Sequence, residues 1–409
     1  MSRKPMARRS PLLIVLLTIF LDLLGFGIVI PLLPFFAKDL GASPLEVGLV
    51  MTAYSAMQFL FSPIWGRISD RVGRRPVLLI SIAANVVAML LFAASSTLVL
   101  FFLARAFAGM ANANIGTAQA YVADVMPGKE RARGMGLVGA AIGMGFVFGP
   151  AIGGLLAPLG KSAPALVAAS LSAVNFALAF FLLPESLTPE KREAARARRG
   201  SRLRTFVAAL DHPILPFLFF AFFLLTTAFS QMEATFALFT DARFAYGTAE
   251  NGYLFAFIGL ALALVQGGLV GPLRRALGES AMLLGGTLVL AAGLLWLAQV
   301  QSLTGLVGAC LVLALGHGIS NPALSTLVSQ EAAEHAQGQV LGVNQSMASL
   351  ARVVGPVLGG LAFEKGSAVA PFLSAAALVG LASLLALRVH RRRAVVRVPL
   401  GEEGLRDAR

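Results

Sequence analysis

Five ionisable side chains, Asp22, Arg105, Glu233, His317 and Arg352, stand inside stretches that are otherwise almost entirely hydrocarbon. A carboxyl group in such a setting can take up and release a proton, because burial disfavours its charged form and a nearby cation favours it. Asp22 and Arg105 fall in the same half of the chain, so an ion pair or a water-bridged contact between them is expected. The bland alternatives are a structural Asp22, hydrogen-bonded within its own helix, and an Arg105 that snorkels to headgroup level. Glu233 is either a second functional acid or an acid at a vestibule mouth, and His317 either a packing residue or a proton carrier. Tyr54, Gln58, Asn112, Gln231, Asn344 and Arg352 add polar positions that either line a substrate cavity or pack against a neighbour. No nucleophile, metal cluster or phosphate-binding glycine loop stands in a suitable context, and Cys310 is the lone cysteine, so neither an enzyme nor a cofactor is expected.

The elements that must position these groups follow from composition. The 409 residues are 57% hydrophobic and only 13% charged, against about a quarter charged in soluble proteins, which makes the lipid bilayer the medium of the chain. Runs of about 20 apolar residues recur at 11–34, 47–65, 77–95, 98–120, 134–157, 163–183, 213–240, 250–271, 280–299, 303–327, 338–363 and 368–387. The first is too long for a secretory signal and contains Asp22, so it reads as an uncleaved span. With the N-terminus cytoplasmic, the inner segments hold 27 of the 33 Lys and Arg residues. The net charge of +13 is therefore topological rather than a sign of nucleic-acid binding, and both termini are expected in the cytoplasm of a multi-pass inner (plasma) membrane protein.

Between the second and third runs lies the charged segment 66–76, GRISDRVGRRP, with Gly66, Asp70, Arg71, Gly73, Arg74 and Arg75. Its glycines stand 205 positions before Gly271 and Gly278, and Gly149-Pro150 through Gly153-Gly154 stand 206 before Gly355-Pro356 through Gly359-Gly360. Two motifs sharing one offset imply an internal duplication: two six-helix halves, pseudo-symmetric about an axis along the membrane normal, around a central cavity. The boundaries are 1–186 for the first half, 187–212 for a basic linker, 213–387 for the second half and 388–409 for a polar tail given no fold. Gly139, Gly143, Gly145, Gly149 and Gly153 make smooth tracks along the fifth run, where another helix can approach closely or slide, and Pro150 favours a kink.

In this order the motifs resemble the major facilitator superfamily. GRISDRVGRRP is similar to its signature loop between helices 2 and 3, and Arg105 with Gly109 to its helix 4 motif. The glycines ending in GPAIGG resemble the helix 5 motif of the twelve-helix drug:proton antiporter branch, and LDLLGFGIVIPLLP the first helix of the tetracycline-efflux and multidrug group. The resemblance implies a secondary transporter, a functional monomer, that exports small amphipathic, drug-like molecules in exchange for protons by alternating access. Asp22, Arg105 and Glu233 would then couple the proton, and Asp70 would latch the two halves, meeting a helix N-terminus or a basic partner across the gap. Tetracycline pumps of this kind carry acids within helices 3 and 9, whereas 77–95 and 280–299 have none, which turns the expectation towards a different or broader cargo. The other readings are a proton-coupled metabolite uptake symporter and a membrane sensor that binds without transporting.

Overall fold

The computed structural model describes residues 9–126, 130–160, 162–187, 211–332 and 337–397. Twelve helices among them are long and apolar enough to cross a membrane. They are α1 (Pro11–Asp39), α2 (Pro44–Val72), α3 (Arg74–Ala93), α4 (Leu98–Val125), α5 (Arg133–Leu159), α6 (Ala163–Leu182), α7 (Leu215–Phe244), α8 (Thr248–Leu277), α9 (Glu279–Gln299), α10 (Leu303–Glu331), α11 (Val340–Lys365) and α12 (Ala370–Arg393). The architecture is all-α, and no strand occurs among the described residues. Most of the linker 187–212 lies outside those residues.

Helix ends repeat with the sequence. Thr97 caps α4 by accepting from the Leu100 N–H, and Ser302, 205 positions on, caps α10 by accepting from Gly305. Gly73 and Gly278 both break the chain at positive φ, +118° and +76°, where a side chain would be strained. Two expectations are corrected. Residues 66–72 are not loop but the last turns of α2, and Gly73 alone separates α2 from α3. The supposed tail begins as helix, which continues to Arg397. Arg393 pairs with Glu331, Arg392 stacks 5.0 Å over the Phe217 ring, and His390 Nδ1 lies 3.1 Å from Ser280 Oγ. Contacts with residues near the ends of α7, α9 and α10 thus accompany α12 beyond its apolar run.

Besides α5, which ends in a 3-10 turn at Ala157–Leu159, three helices are irregular within their length. α1 passes through a 3-10 turn at Ile30–Leu32, where Pro31 has no N–H to give. α4 is interrupted at Asn112–Asn114, and α8 contains a π turn at Val265–Leu269.

The chain forms two compact units, and they do not follow the sequence halves. The first comprises Met1–Gly200, Phe229–Ala263 and Ser349–Pro371; the second comprises Ser201–Ala228, Leu264–Ala348 and Phe372–Arg409. In the first unit α1 lies against α5 on glycine. A Cβ on Gly145 would stand 2.6 Å from Leu23 Cβ, one on Gly149 2.7 Å from Gly27 Cα, and one on Gly153 would strike the Ile28 carbonyl. Gly139 and Gly143 face open space, so the track is a packing surface only over its second part. The same unit contains contacts between the two sequence halves. Gly48 of α2 meets the Pro356 carbonyl of α11, Gly154 of α5 meets Gly252 of α8, and Lys38 pairs with Asp241 at 2.5 Å. In the second unit α9 and α10 cross at Gly286 and Gly316, each against backbone of the other helix.

Since Gly149 has no room for a side chain, Gly149→Val should lower stability in detergent by about 1–3 kcal/mol, read as a fall in thermal midpoint, while Gly139→Val should leave it in place.

Candidate functional site

The helix 4 motif works through its glycine. A Cβ on Gly109 would strike the Tyr54 carbonyl, so α4 and α2 meet backbone to backbone. One turn earlier this contact lays the Arg105 guanidinium over the Tyr54 ring, 4.6 Å from its centroid, with the Phe26 ring at 5.9 Å. Arg105 is 2% exposed, and its Nε and Nη1 have no hydrogen-bond partner among the described residues. A ring face answers part of its charge, but no carboxylate among the described residues is paired with it.

Asp22 lies elsewhere. It is buried in α1, accepting from Asn114 Nδ2 at 3.2 Å and from Asn175 Nδ2 at 3.5 Å. Asn175, on α6, accepts in turn from Thr18 Oγ1 at 3.0 Å. The direct ion pair expected between Asp22 and Arg105 is therefore not formed, nor is Asp22 held within its own helix alone. The interruption of α4 separates the two roles: Arg105 precedes it and stacks on α2, whereas Asn114 ends it and turns to α1.

Tyr54 is within electrostatic reach of Asp22, Arg105 and Arg352, and Arg352 within reach of Glu233. The first unit thus gathers Asp22, Tyr54, Arg105, Glu233 and Arg352, two acids and two guanidiniums, from α1, α2, α4, α7 and α11. The remaining candidates are not part of that group. Gln58 donates to the Asn112 carbonyl, Asn112 to Asn85 and Asn85 to Ser172, a buried amide chain tying α2, α3, α4 and α6 together. Gln231 donates to the Pro371 carbonyl and lies against Gly359. His317 and Asn344 belong to the second unit, His317 beside Ser320 and Asn321 in a small crevice. No group able to hold a metal occurs among the described residues.

The charged segment makes contacts both within itself and to α4, α6 and Glu185. Asp70 pairs with Arg74 at 2.6 Å rather than with a partner across a gap, and Arg74 also reaches Ser69 Oγ at 2.6 Å and Asp124 at 3.4 Å. Arg75 donates to the Phe180 carbonyl at 2.6 Å, Arg71 is exposed, and Gly66 faces open space. Glu185, which sequence reasoning missed, accepts from the Arg74 and Arg75 N–H groups at 2.8 and 3.1 Å and so caps α3. It fills the place a Gly73 side chain would need. It also accepts from the neighbouring Ser186 and Leu187 N–H groups, but the partners that make it a cap of α3 are 111 and 110 positions away. Asn175 was also missed, although it is the lone amide within the run 163–183.

Twelve apolar helices long enough to cross a membrane, with ionisable groups buried inside them, have the make-up of a membrane transporter. The Major Facilitator Superfamily model matches residues 15–356 and again 276–407, and the chain belongs to that family. It is 33% identical over 360 residues to the class D tetracycline resistance protein of Salmonella ordonez, covering 87% of this chain and 90% of that one. To multidrug resistance protein 2 of Bacillus subtilis (strain 168) it is 32% identical over 369 residues, covering 88% and 91%. Among solved structures it is similar to the human organic anion transporter MFSD10 (TETRAN), with 28% identity, a TM-score of 0.70 and coverage of 94% and 100%.

Because Gly73 combines positive φ with contact to Glu185, Gly73→Ala should cost about 1–2 kcal/mol from backbone strain, with further loss from the displaced cap. Gly66→Ala should be neutral, both read as thermal midpoints of the purified protein.

Proposed function

We propose that this chain exports small, amphipathic, drug-like molecules in exchange for protons by alternating access, as a monomer in the inner membrane with both termini cytoplasmic. The observation that carries this reading is the separation of Asp22 from Arg105: a buried carboxyl held by neutral amides and a buried guanidinium that no carboxylate answers. Such a pair offers two states. Away from the cation, the carboxyl can keep a proton against the cost of a bare charge in low dielectric; brought to the cation, it gives the proton up. An exchanger needs that alternation, with cargo favouring the deprotonated form. Asp22 is the coupling acid in this reading and Arg105 its modulator. Glu233, within electrostatic reach of Arg352, is a second acid or a contact for a cationic part of the cargo.

The resistance proteins among the relatives support drug-like cargo. Spans α3 and α9 offer no acid in their interiors, which favours a cargo other than tetracycline itself. Asp70 serves as a latch whose present partner, Arg74, is the contact it relinquishes when the halves rearrange. The proton gradient supplies the energy, and no cofactor takes part.

Cargo can be found by susceptibility profiling across dyes, antibiotics and sugars in cells with and without the protein. For a cargo so identified, Asp22→Asn should insert normally in vesicles yet lose proton-driven export by at least tenfold. Coupled export at the original rate in that variant would remove Asp22 from the mechanism.

A further inference from the structure

The two amides on Asp22 differ in freedom. Asn175 accepts at Oδ1 from Thr18, which leaves its Nδ2 as the end facing the carboxyl. Asn114 donates to the other carboxyl oxygen, and its own Oδ1 takes no hydrogen bond among the described residues. It also sits at the end of the non-helical turn of α4. Asn114 and Asn175 are at most 2% exposed and Asp22 itself 5%, so protein groups rather than bulk solvent answer the carboxyl. An amide can serve both forms of an acid: its NH2 donates to a carboxylate, and a half-turn about the last torsion presents its oxygen to the O–H of the carboxylic acid.

We propose that Asn114 is a positioning residue for Asp22 that reverses its hydrogen bond with the proton, donating to the carboxylate and accepting from the acid, while Asn175, oriented by Thr18, keeps a fixed donor on the other oxygen. The inference rests on Asp22 being the coupling acid. Its consequence is that the carboxyl group keeps a hydrogen-bond partner at that oxygen in both its charged and its protonated form, the loss of which would otherwise add to the barrier in both directions. No other titratable group stands close enough to do this. α6 contains none, α5 none beyond Arg133, and α4 contributes Arg105, which is stacked on Tyr54, with Tyr121 and Asp124 towards its far end. Tyr54 of α2 is the phenol within electrostatic reach of the carboxyl.

Infrared titration of the purified full-length protein in lipid nanodiscs reads the protonated carboxyl directly and needs no cargo. The C=O band that Asp22→Asn removes belongs to Asp22. In Asn114→Leu the pH midpoint of that band should be displaced by about one unit, the equivalent of one charge-assisted hydrogen bond, and its frequency should rise because the acid O–H has lost its acceptor. Asn114→Thr, which keeps one hydroxyl, should show a smaller change of both and serves if the leucine variant does not insert. Asn251→Leu, which removes a buried amide bonded to Thr240 instead, should leave the band in place. An unchanged midpoint and frequency in folded Asn114 variants, or an equal change in Asn251→Leu, would overturn the inference while leaving Asp22 as the coupling acid. If Asp22→Asn removes no titrating band, the coupling role fails and the inference with it.

Discussion

A charge inside a hydrocarbon layer must be answered by another group, and the structure meets that constraint differently at each of its buried charges. Asp22 is answered by two amides, Arg105 by the faces of two rings, and Arg352 and Glu233 by one another's field. An ion pair between Asp22 and Arg105 would be the more familiar arrangement, yet a closed pair would hold the carboxyl in its charged form and leave nothing to alternate. Here the carboxyl is held by neutral amides and the guanidinium by ring faces, with no direct bond between the two.

The positions of these groups depend on backbone contacts that only glycine permits. Gly109 brings α4 onto α2 and so places Arg105 on Tyr54. Gly145, Gly149 and Gly153 bring α5 onto α1, the helix that carries Asp22. Between the sequence halves, Gly48 and Gly154 play the same part at the crossings of α2 with α11 and of α5 with α8. In a bilayer, where burying apolar side chains gains little against lipid, close backbone approach is a principal source of helix association. The glycine motifs and the buried charges thus belong to one design.

Much of the fold was legible in the sequence because hydropathy reads directly as spans, and the 205-residue offset read as duplication. The offset even extends to helix caps, Thr97 with Ser302 and Gly73 with Gly278. The site was legible in its residues but not in its pairings. Asp22 and Arg105 were visible as charges in apolar runs, whereas the turn at Asn112–Asn114 that separates them has no proline or glycine to announce it. The extent of α2 was misread because charge marks a segment as leaving the bilayer without saying that it leaves helix. Glu185 and Asn175 act across more than a hundred positions, and their role exists only once α3, α4 and α6 are packed.

The central claim is that cargo and proton move in opposite directions through one transporter. It is tested most directly by reconstituting the wild-type protein in vesicles with a pH-sensitive dye inside and applying a gradient of an identified cargo without a pH gradient. Cargo leaving the vesicle should draw protons in, acidifying the interior at a rate that scales with cargo flux. Alkalinisation as cargo leaves would mark a symporter, and cargo flux with no pH change would show that the carboxyl and the cargo are not coupled at all.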